Sequence, residues 1–171
     1  WQRVDLPAAH HPLVMENAMI VKKFMKKNVI FIPLETTIGG AAAVVVRQHV
    51  GLLPVVDAAG KPVGVVRLGD LLELEMPDFI HLVDDFDFVH DCGAVESTRP
   101  PAGMLAKPVS TLMKPVLTVE EDSGLLRAYA IMLQNDIFDL PVTDEAGSLT
   151  GIISRVDIGS AILALWKTGG A

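Results

Sequence analysis

The order of apolar runs and polar turns along this chain occurs twice. Two short apolar runs rich in β-branched residues, 52–56 and 140–143, are followed by the sequences DAAG and DEAG. The Asp of each sequence favours the start of a turn, and its Gly tolerates a left-handed backbone. A second apolar run follows at 62–67 and again at 149–154. Each half of the chain therefore predicts a β-hairpin.

Helical periodicity occurs on both sides of each hairpin. Segments 38–50 and 121–136 precede the two hairpins, and segments 69–75 and 155–166 follow them. The apolar residues of 121–136 fall at helical spacing, at Leu125, Leu126, Tyr129, Met132 and Leu133. With a short strand at the start of each half, the predicted order is strand, helix, strand, strand, helix, twice.

The two halves also match residue by residue. Four pairs are each 87 positions apart: Pro54 and Pro141, Gly60 and Gly147, Gly64 and Gly151, Asp70 and Asp157. Units of ~60 residues bury too little surface to be comfortable alone, so we expect their sheets to pack together about a pseudo-two-fold axis. This predicts two equivalent clefts, each lined by the end of the second hairpin strand and the start of the next helix.

The sequence GIISRVD, residues 151–157, places Ser154 three residues before Asp157 at such a strand-to-helix junction. One interpretation is a capping box that stabilises the helix start. Another is a binding site, because a carboxylate accepts from both hydroxyls of a ribose and a helix start with a hydroxyl suits a phosphate. The first half keeps Asp70 but has Arg67 in place of the serine, which would either hold a phosphate or block the cleft.

Composition narrows the class of protein. The 171 residues are 50% hydrophobic, with 14 Lys and Arg against 21 Asp and Glu, so the net charge is -7. This balance argues against a broad nucleic-acid-binding surface. No apolar run approaches the ~18 residues of a membrane span. A single cysteine fits a reducing compartment. We expect a cytoplasmic chain that does not enter a membrane.

The repeated pattern LPVVDxxGxxVGVVxxxDLL and LPVTDExGxLTGIISxxDI resembles a tandem pair of CBS domains, also called a Bateman module. The resemblance implies an α/β (α+β) fold of two pseudo-symmetric β-α-β-β-α repeats packed through their sheets. The expected divisions are an N-terminal segment (1–20), a first repeat (21–76), an acidic and helical linker (77–104), a second repeat (105–167) and a C-terminal tail (168–171).

The resemblance also implies a function. Such pairs act mostly as regulatory, non-enzymatic modules that bind AMP, ADP, ATP or another adenosine compound between their halves, and they commonly form homodimers. No cofactor is required beyond that regulatory ligand, and no metal is expected. The ligand-binding residues implied in this way, or by position near the clefts, are Asp157, Ser154, Asp70, Arg67, Thr118, Val116, Ile137 and Asp139.

Two alternatives use other features of the sequence. A ligand-free module that only dimerises or docks would follow if the clefts are blocked, for instance by Arg67. A divalent-metal site, and with it a metal-dependent hydrolase, would need Asp85 or Asp87 with His90 and Asp91 in the acidic linker. Acids on an exposed helix face need no ligand, which favours the plain linker. The basic stretch 22–27 would either dock on that linker or remain a solvated helix end.

Overall fold

The computed structural model describes residues 19–74 and 99–166. The first repeat contains α1 (Val21–Phe24), β1 (Ile32–Pro33), α2 (Ile38–Gln48), β2 (Leu52–Val56), β3 (Pro62–Arg67) and α3 (Leu68–Leu72). The second contains α4 (Ala102–Leu105), a 3-10 turn (Val109–Thr111), β4 (Val119–Glu120), α5 (Leu125–Gln134), β5 (Asp139–Thr143), β6 (Leu149–Ser154) and α6 (Arg155–Leu163). The predicted α/β class and the order within each repeat are confirmed.

Each repeat forms its own three-stranded sheet. The two hairpin strands are antiparallel, and the short first strand, β1 or β4, pairs in parallel with the first hairpin strand, β2 or β5. The hairpin turns use Gly60 and Gly147, with φ of 76° and 80°. A positive φ of this size is costly for residues with a Cβ, which explains why glycine recurs at both turns. The hairpins also meet, because Leu149 N donates to Gly60 O at 3.0 Å.

The helices cover one face of each sheet. Thr37 caps the start of α2, since its hydroxyl accepts from Gly40 N at 3.1 Å. His49 caps the end of α2 in the left-handed conformation, with φ of 51°. Its counterpart α5 buries Leu125, Ala128 and Met132 against the second sheet. These positions lie three and four apart, which is the spacing of one helix face.

The two hydrophobic cores exchange their N-terminal segments. Val21 is fully buried, with Met19, Phe24 and Met25 packed beside it, in the cluster formed by the second sheet and its helices. Conversely, Val109 is fully buried in the cluster of the first sheet, with Leu112 and Met113 alongside. The segment that begins each sequence repeat therefore completes the core of the other repeat.

Backbone pairing holds each exchanged segment in place. Lys26 N donates to Ile152 O at 2.9 Å and Ile152 N donates to Lys26 O at 3.0 Å. The same pair of bonds joins Lys114 to Val65, at 2.9 and 3.0 Å. Lys22 also forms an ion pair with Glu121, and this hydrogen bond raises the pKa of Lys22. The two repeats are thus joined by matched contacts about a pseudo-two-fold axis.

The predicted linker lies mostly outside the described residues, although α4 falls within its last part. The residues of the alternative metal site, Asp85, Asp87, His90 and Asp91, lie outside the described residues as well. Within 19–74 and 99–166, no group of three or more His, Cys, Asp or Glu side chains is placed to hold a metal ion. Within those same ranges, no helix has the length and apolar character needed to cross a membrane.

Candidate functional site: two clefts between the repeats

Ser154 and Asp157 form the capping box that their spacing predicts. Asp157 Oδ2 accepts from Ser154 N at 2.9 Å and from Ser154 Oγ at 2.6 Å, and Ser154 Oγ accepts from Asp157 N at 3.1 Å. The other carboxylate oxygen, Oδ1, lies 3.5 Å from the ammonium of Lys26. The Asp157 side chain is only 17% exposed. Its carboxylate therefore has partners at both oxygens.

Asp70 occupies the equivalent place in the first repeat with fewer partners. It is buried, at 7% exposure, and its Oδ2 accepts from Arg67 N at 2.8 Å. Arg67 itself is exposed and its side chain cannot accept a hydrogen bond. Among the described residues, no cation lies within ion-pair distance of Asp70. Its second carboxylate oxygen therefore carries no partner from the described part of the chain.

Asp70 lines a cleft between the repeats, here called the Asp70 cleft. It consists of two adjoining cavities of about 460 and 330 Å³ that share Leu52, Arg67, Ile137 and Asp139. The larger cavity contains Asp70 and Glu73, and the smaller contains Lys114. Pockets of this size accommodate small-molecule ligands.

A smaller cavity of about 250 Å³ lies on the other side of the pseudo-two-fold axis, and we call it the Asp157 cleft. Residues of the first repeat supply most of its wall, including Asn28, Ile30 and His49, while Ile152 comes from β6. Lys26 lines this cavity and its ammonium contacts Asp157, but neither Asp157 nor Ser154 lines the cavity itself. The two clefts are related by the sequence repeat but differ in volume and in access to the carboxylate.

Leu52 and Asp139 lie between the two clefts. They occupy equivalent positions at the start of β2 and β5, and both line all three cavities. Burial raises the pKa of the Asp139 carboxyl, and the negative charge of Asp157 acts in the same direction, while Lys26 opposes them. A carboxylate therefore lies at the shared wall, where the first repeat has a leucine.

The exchange of segments changes how the predicted site residues group. The sequence predicts that four residues of the second repeat lie beside Asp157, namely Val116, Thr118, Ile137 and Asp139. The structure instead places Ile137 and Asp139 with Arg67 and Asp70, and only Asp139 also reaches the Asp157 cleft. A cleft between exchanged units takes its carboxylate from one repeat and its opposite wall from the other.

Thr118 and Val116 do not line either cleft. Thr118 is exposed and contributes to a separate cavity of about 190 Å³ with Ser123, Arg127 and Thr143. Val116 is half-buried. The short strand β4 begins only at Val119, so these two residues lie before the sheet rather than at its cleft edge.

Sequence reasoning missed Lys26, His49 and Lys114 as cleft residues. A signal for two of them was available, since Lys26 and Lys114 are 88 residues apart, like Met25 and Met113. The sequence repeat does not predict the side-chain contacts of these two lysines. Lys26 pairs with Asp157, whereas Lys114 pairs with no acid among the described residues.

Comparison with known sequences identifies the class of this protein. The CBS domain family matches residues 21–76 and 109–164, well over half of the chain. This chain belongs to the CBS domain family and carries a tandem pair of these domains. The expected resemblance is confirmed, and both matches coincide with the sequence repeat.

Individual relatives add detail. An uncharacterised protein of Methanocaldococcus jannaschii, MJ1404, is 32% identical over 148 residues, which are 86% of this chain and 32% of that protein. CBSX1, a chloroplastic CBS domain-containing protein of Arabidopsis thaliana, is 31% identical over 78% of this chain and 59% of its own length. The chain thus spans about a third to three fifths of these two relatives.

A solved structure with the same fold contains a ligand. CBSX2, crystallised in complex with AMP, superposes with a TM-score of 0.63 at 30% identity, covering 85% of this chain and 96% of that chain. The two three-stranded sheets and paired repeats described above are therefore the architecture of a CBS pair.

Proposed function

We propose that this chain is a regulatory, non-enzymatic module that binds an adenosine nucleotide such as AMP, ADP or ATP between its two CBS domains. The observation that carries the proposal is a largely buried carboxylate that recurs where each second hairpin strand meets the next helix. Asp70 lines one cleft, and Asp157 contacts Lys26, which lines the other. A carboxylate in this position accepts from both hydroxyls of a ribose. The AMP complex of CBSX2 supports the choice of ligand.

The cleft walls support the remaining contacts. Apolar side chains such as Leu52 and Ile137 offer a surface for the flat base, and the cations Arg67, Lys114 and Lys26 suit a phosphate. Because both clefts lie between the repeats, a ligand that fits one arrangement of the repeats better than another shifts the population toward it. That shift is the proposed regulatory output.

Thermal unfolding with AMP, ADP, ATP and guanosine nucleotides tests the proposal. A ligand at about 100 times its Kd stabilises the fold by about 2.7 kcal/mol, which is roughly 5–11 °C in Tm for a chain of this size. The double variant Asp70→Asn/Asp157→Asn should lose the shift, and Asp122→Asn, an exposed acid outside both clefts, should keep it. Equal shifts with guanosine nucleotides, or none with any ligand, would remove the proposal.

A ligand-free dimerisation module is the second candidate, and one observation favours it. Leu126 of α5, Val156 of α6 and Trp166 just beyond α6 are 73%, 74% and 66% exposed. Apolar side chains exposed on neighbouring helices are typical of a protein interface. We propose a homodimer in either case, in a cytoplasmic setting. Calorimetric titration with AMP separates the two candidates, since only the ligand-binding module binds AMP.

A further inference from the structure

Each cleft contains a lysine at the equivalent position of its repeat, but the two lysines differ in their ion-pair partners. Lys26 and Lys114 lie 88 residues apart and form matched backbone bonds, to Ile152 and Val65. Each side chain lines the cleft on its own side of the pseudo-two-fold axis. Lys26 Nζ lies 3.5 Å from Asp157 Oδ1, whereas Lys114 has no acid within ion-pair distance among the described residues. Lys114 therefore serves as a comparison for Lys26 within the same chain.

The consequence concerns access to the two carboxylates. Asp157 Oδ2 is engaged by Ser154 and Oδ1 by Lys26, so both oxygens have partners. Asp70 has a single described partner, Arg67 N, and its side chain itself lines the larger cleft. A ribose reaches Asp70 without meeting an ion pair, but at Asp157 it competes with Lys26 for Oδ1.

Resting on the proposed nucleotide-binding function, we infer that the Asp70 cleft is the open site, and that Lys26 makes the Asp157 cleft selective for adenosine ligands with a 5′-phosphate. A phosphate offers the Lys26 ammonium another anion, so the ion pair with Asp157 is exchanged rather than lost. An unphosphorylated adenosine offers none. The ranking is the reverse of the one that the complete GIISRVD motif suggests.

The expected size of the effect follows from the exposure of the pair. Lys26 is 64% exposed and Asp157 is 17% exposed, so the ion pair contributes modestly, and breaking it weakens adenosine binding by roughly fivefold. The new contact between phosphate and lysine strengthens AMP binding by a similar factor. AMP also gives up the ion pair, but its phosphate contact offsets that loss, so the Asp157 cleft should prefer AMP over adenosine by roughly fivefold.

Calorimetric titration with adenosine and with AMP tests this on two variants that isolate the clefts. Asp157→Asn, which keeps the Asp70 cleft, should bind both ligands. Asp70→Asn, which keeps the Asp157 cleft, should bind AMP roughly fivefold more tightly than adenosine. Adding Lys26→Met to Asp70→Asn should reduce that ratio to about twofold or less, while adding the matched change Lys114→Met should leave it unchanged.

Several outcomes would overturn the inference while the proposed function stands. These are a ratio near one in Asp70→Asn, a ratio that survives Lys26→Met, or adenosine binding that Asp157→Asn alone abolishes. Failure of the unaltered chain to bind either ligand would instead remove the proposed function.

A second measurement covers a folding defect, because Asp70 also accepts from the backbone at the start of α3. In an otherwise unchanged chain, Lys26→Met should strengthen the weaker of two adenosine-binding steps by roughly fivefold and leave the tighter step unchanged. An unchanged weaker step, or a change confined to the tighter step, would contradict the role of Lys26.

Discussion

The approach of each exchanged segment to a hairpin strand gives a sharp stability prediction at Gly151. A Cβ built on Gly151 would overlap Met25 Sδ and would lie 3.0 Å from Met25 Cγ and 3.2 Å from Lys26 O. The Met tail can move, but the carbonyl belongs to the backbone segment that pairs with Ile152. Overpacking of this kind costs about 1–3 kcal/mol, so Gly151→Ala should lower Tm by roughly 2–12 °C.

The matched control lies eight residues further along the chain. Gly159, in α6, has no heavy atom within 4 Å of a Cβ built on it. Gly159→Ala should therefore raise stability by about 1 kcal/mol, because alanine is the better helix former. Scanning calorimetry of both variants gives the two signs directly.

A double variant then tests whether the contact with Met25 causes the loss of stability. If Met25 causes the loss, the combined cost of Met25→Ala and Gly151→Ala should be smaller than the sum of the two single costs. A Tm for Gly151→Ala equal to or above that of the unaltered chain would refute the close packing of the exchanged segment on β6.

Three further predictions test other contacts. Because burial raises the pKa of Asp139, ionisation opposes folding there: stability is lost as pH rises through the folded pKa, so Asp139→Asn should raise Tm at pH 7. That gain should shrink toward pH 3.8, and a constant gain would contradict it. Arg155 donates to Ile137 O at 2.8 Å and Met132 O at 2.9 Å, so Arg155→Ala should cost about 1–3 kcal/mol in urea unfolding, and an unchanged midpoint would exclude these bonds. Val21→Ala should cost a similar amount and reduce amide protection in the second sheet more than in the first, whereas equal loss would contradict the exchange.

The local elements were predictable because their signals are short-range. Two hairpins follow from the apolar runs 52–56 and 140–143, with Gly60 and Gly147 at the turns, without reference to the rest of the chain. The capping box at Ser154 and Asp157 is equally local, and it formed as expected. Such features depend on residues within about four positions of one another.

The grouping of residues at the clefts was not predictable in the same way. The sequence repeat places Val116 and Asp157 in one unit, while the fold pairs Lys26 with Ile152 and Lys114 with Val65 across units. Pairing of this kind depends on which sheet an incoming segment covers, and both sheets present similar apolar edges. Only three-dimensional packing decides that choice.

The exchanged segments have a consequence for the order in which the two cores are completed during synthesis. During synthesis the first sheet lacks Val109, Leu112 and Met113 until more than forty residues beyond Arg67 have been added, so the first core is completed only after the second repeat has begun. A gene encoding one repeat alone would leave the same segment free, and two such products would complete each other by trading it. The tandem pair thus forms within one polypeptide the exchanged contacts that a domain-swapped dimer forms between two chains.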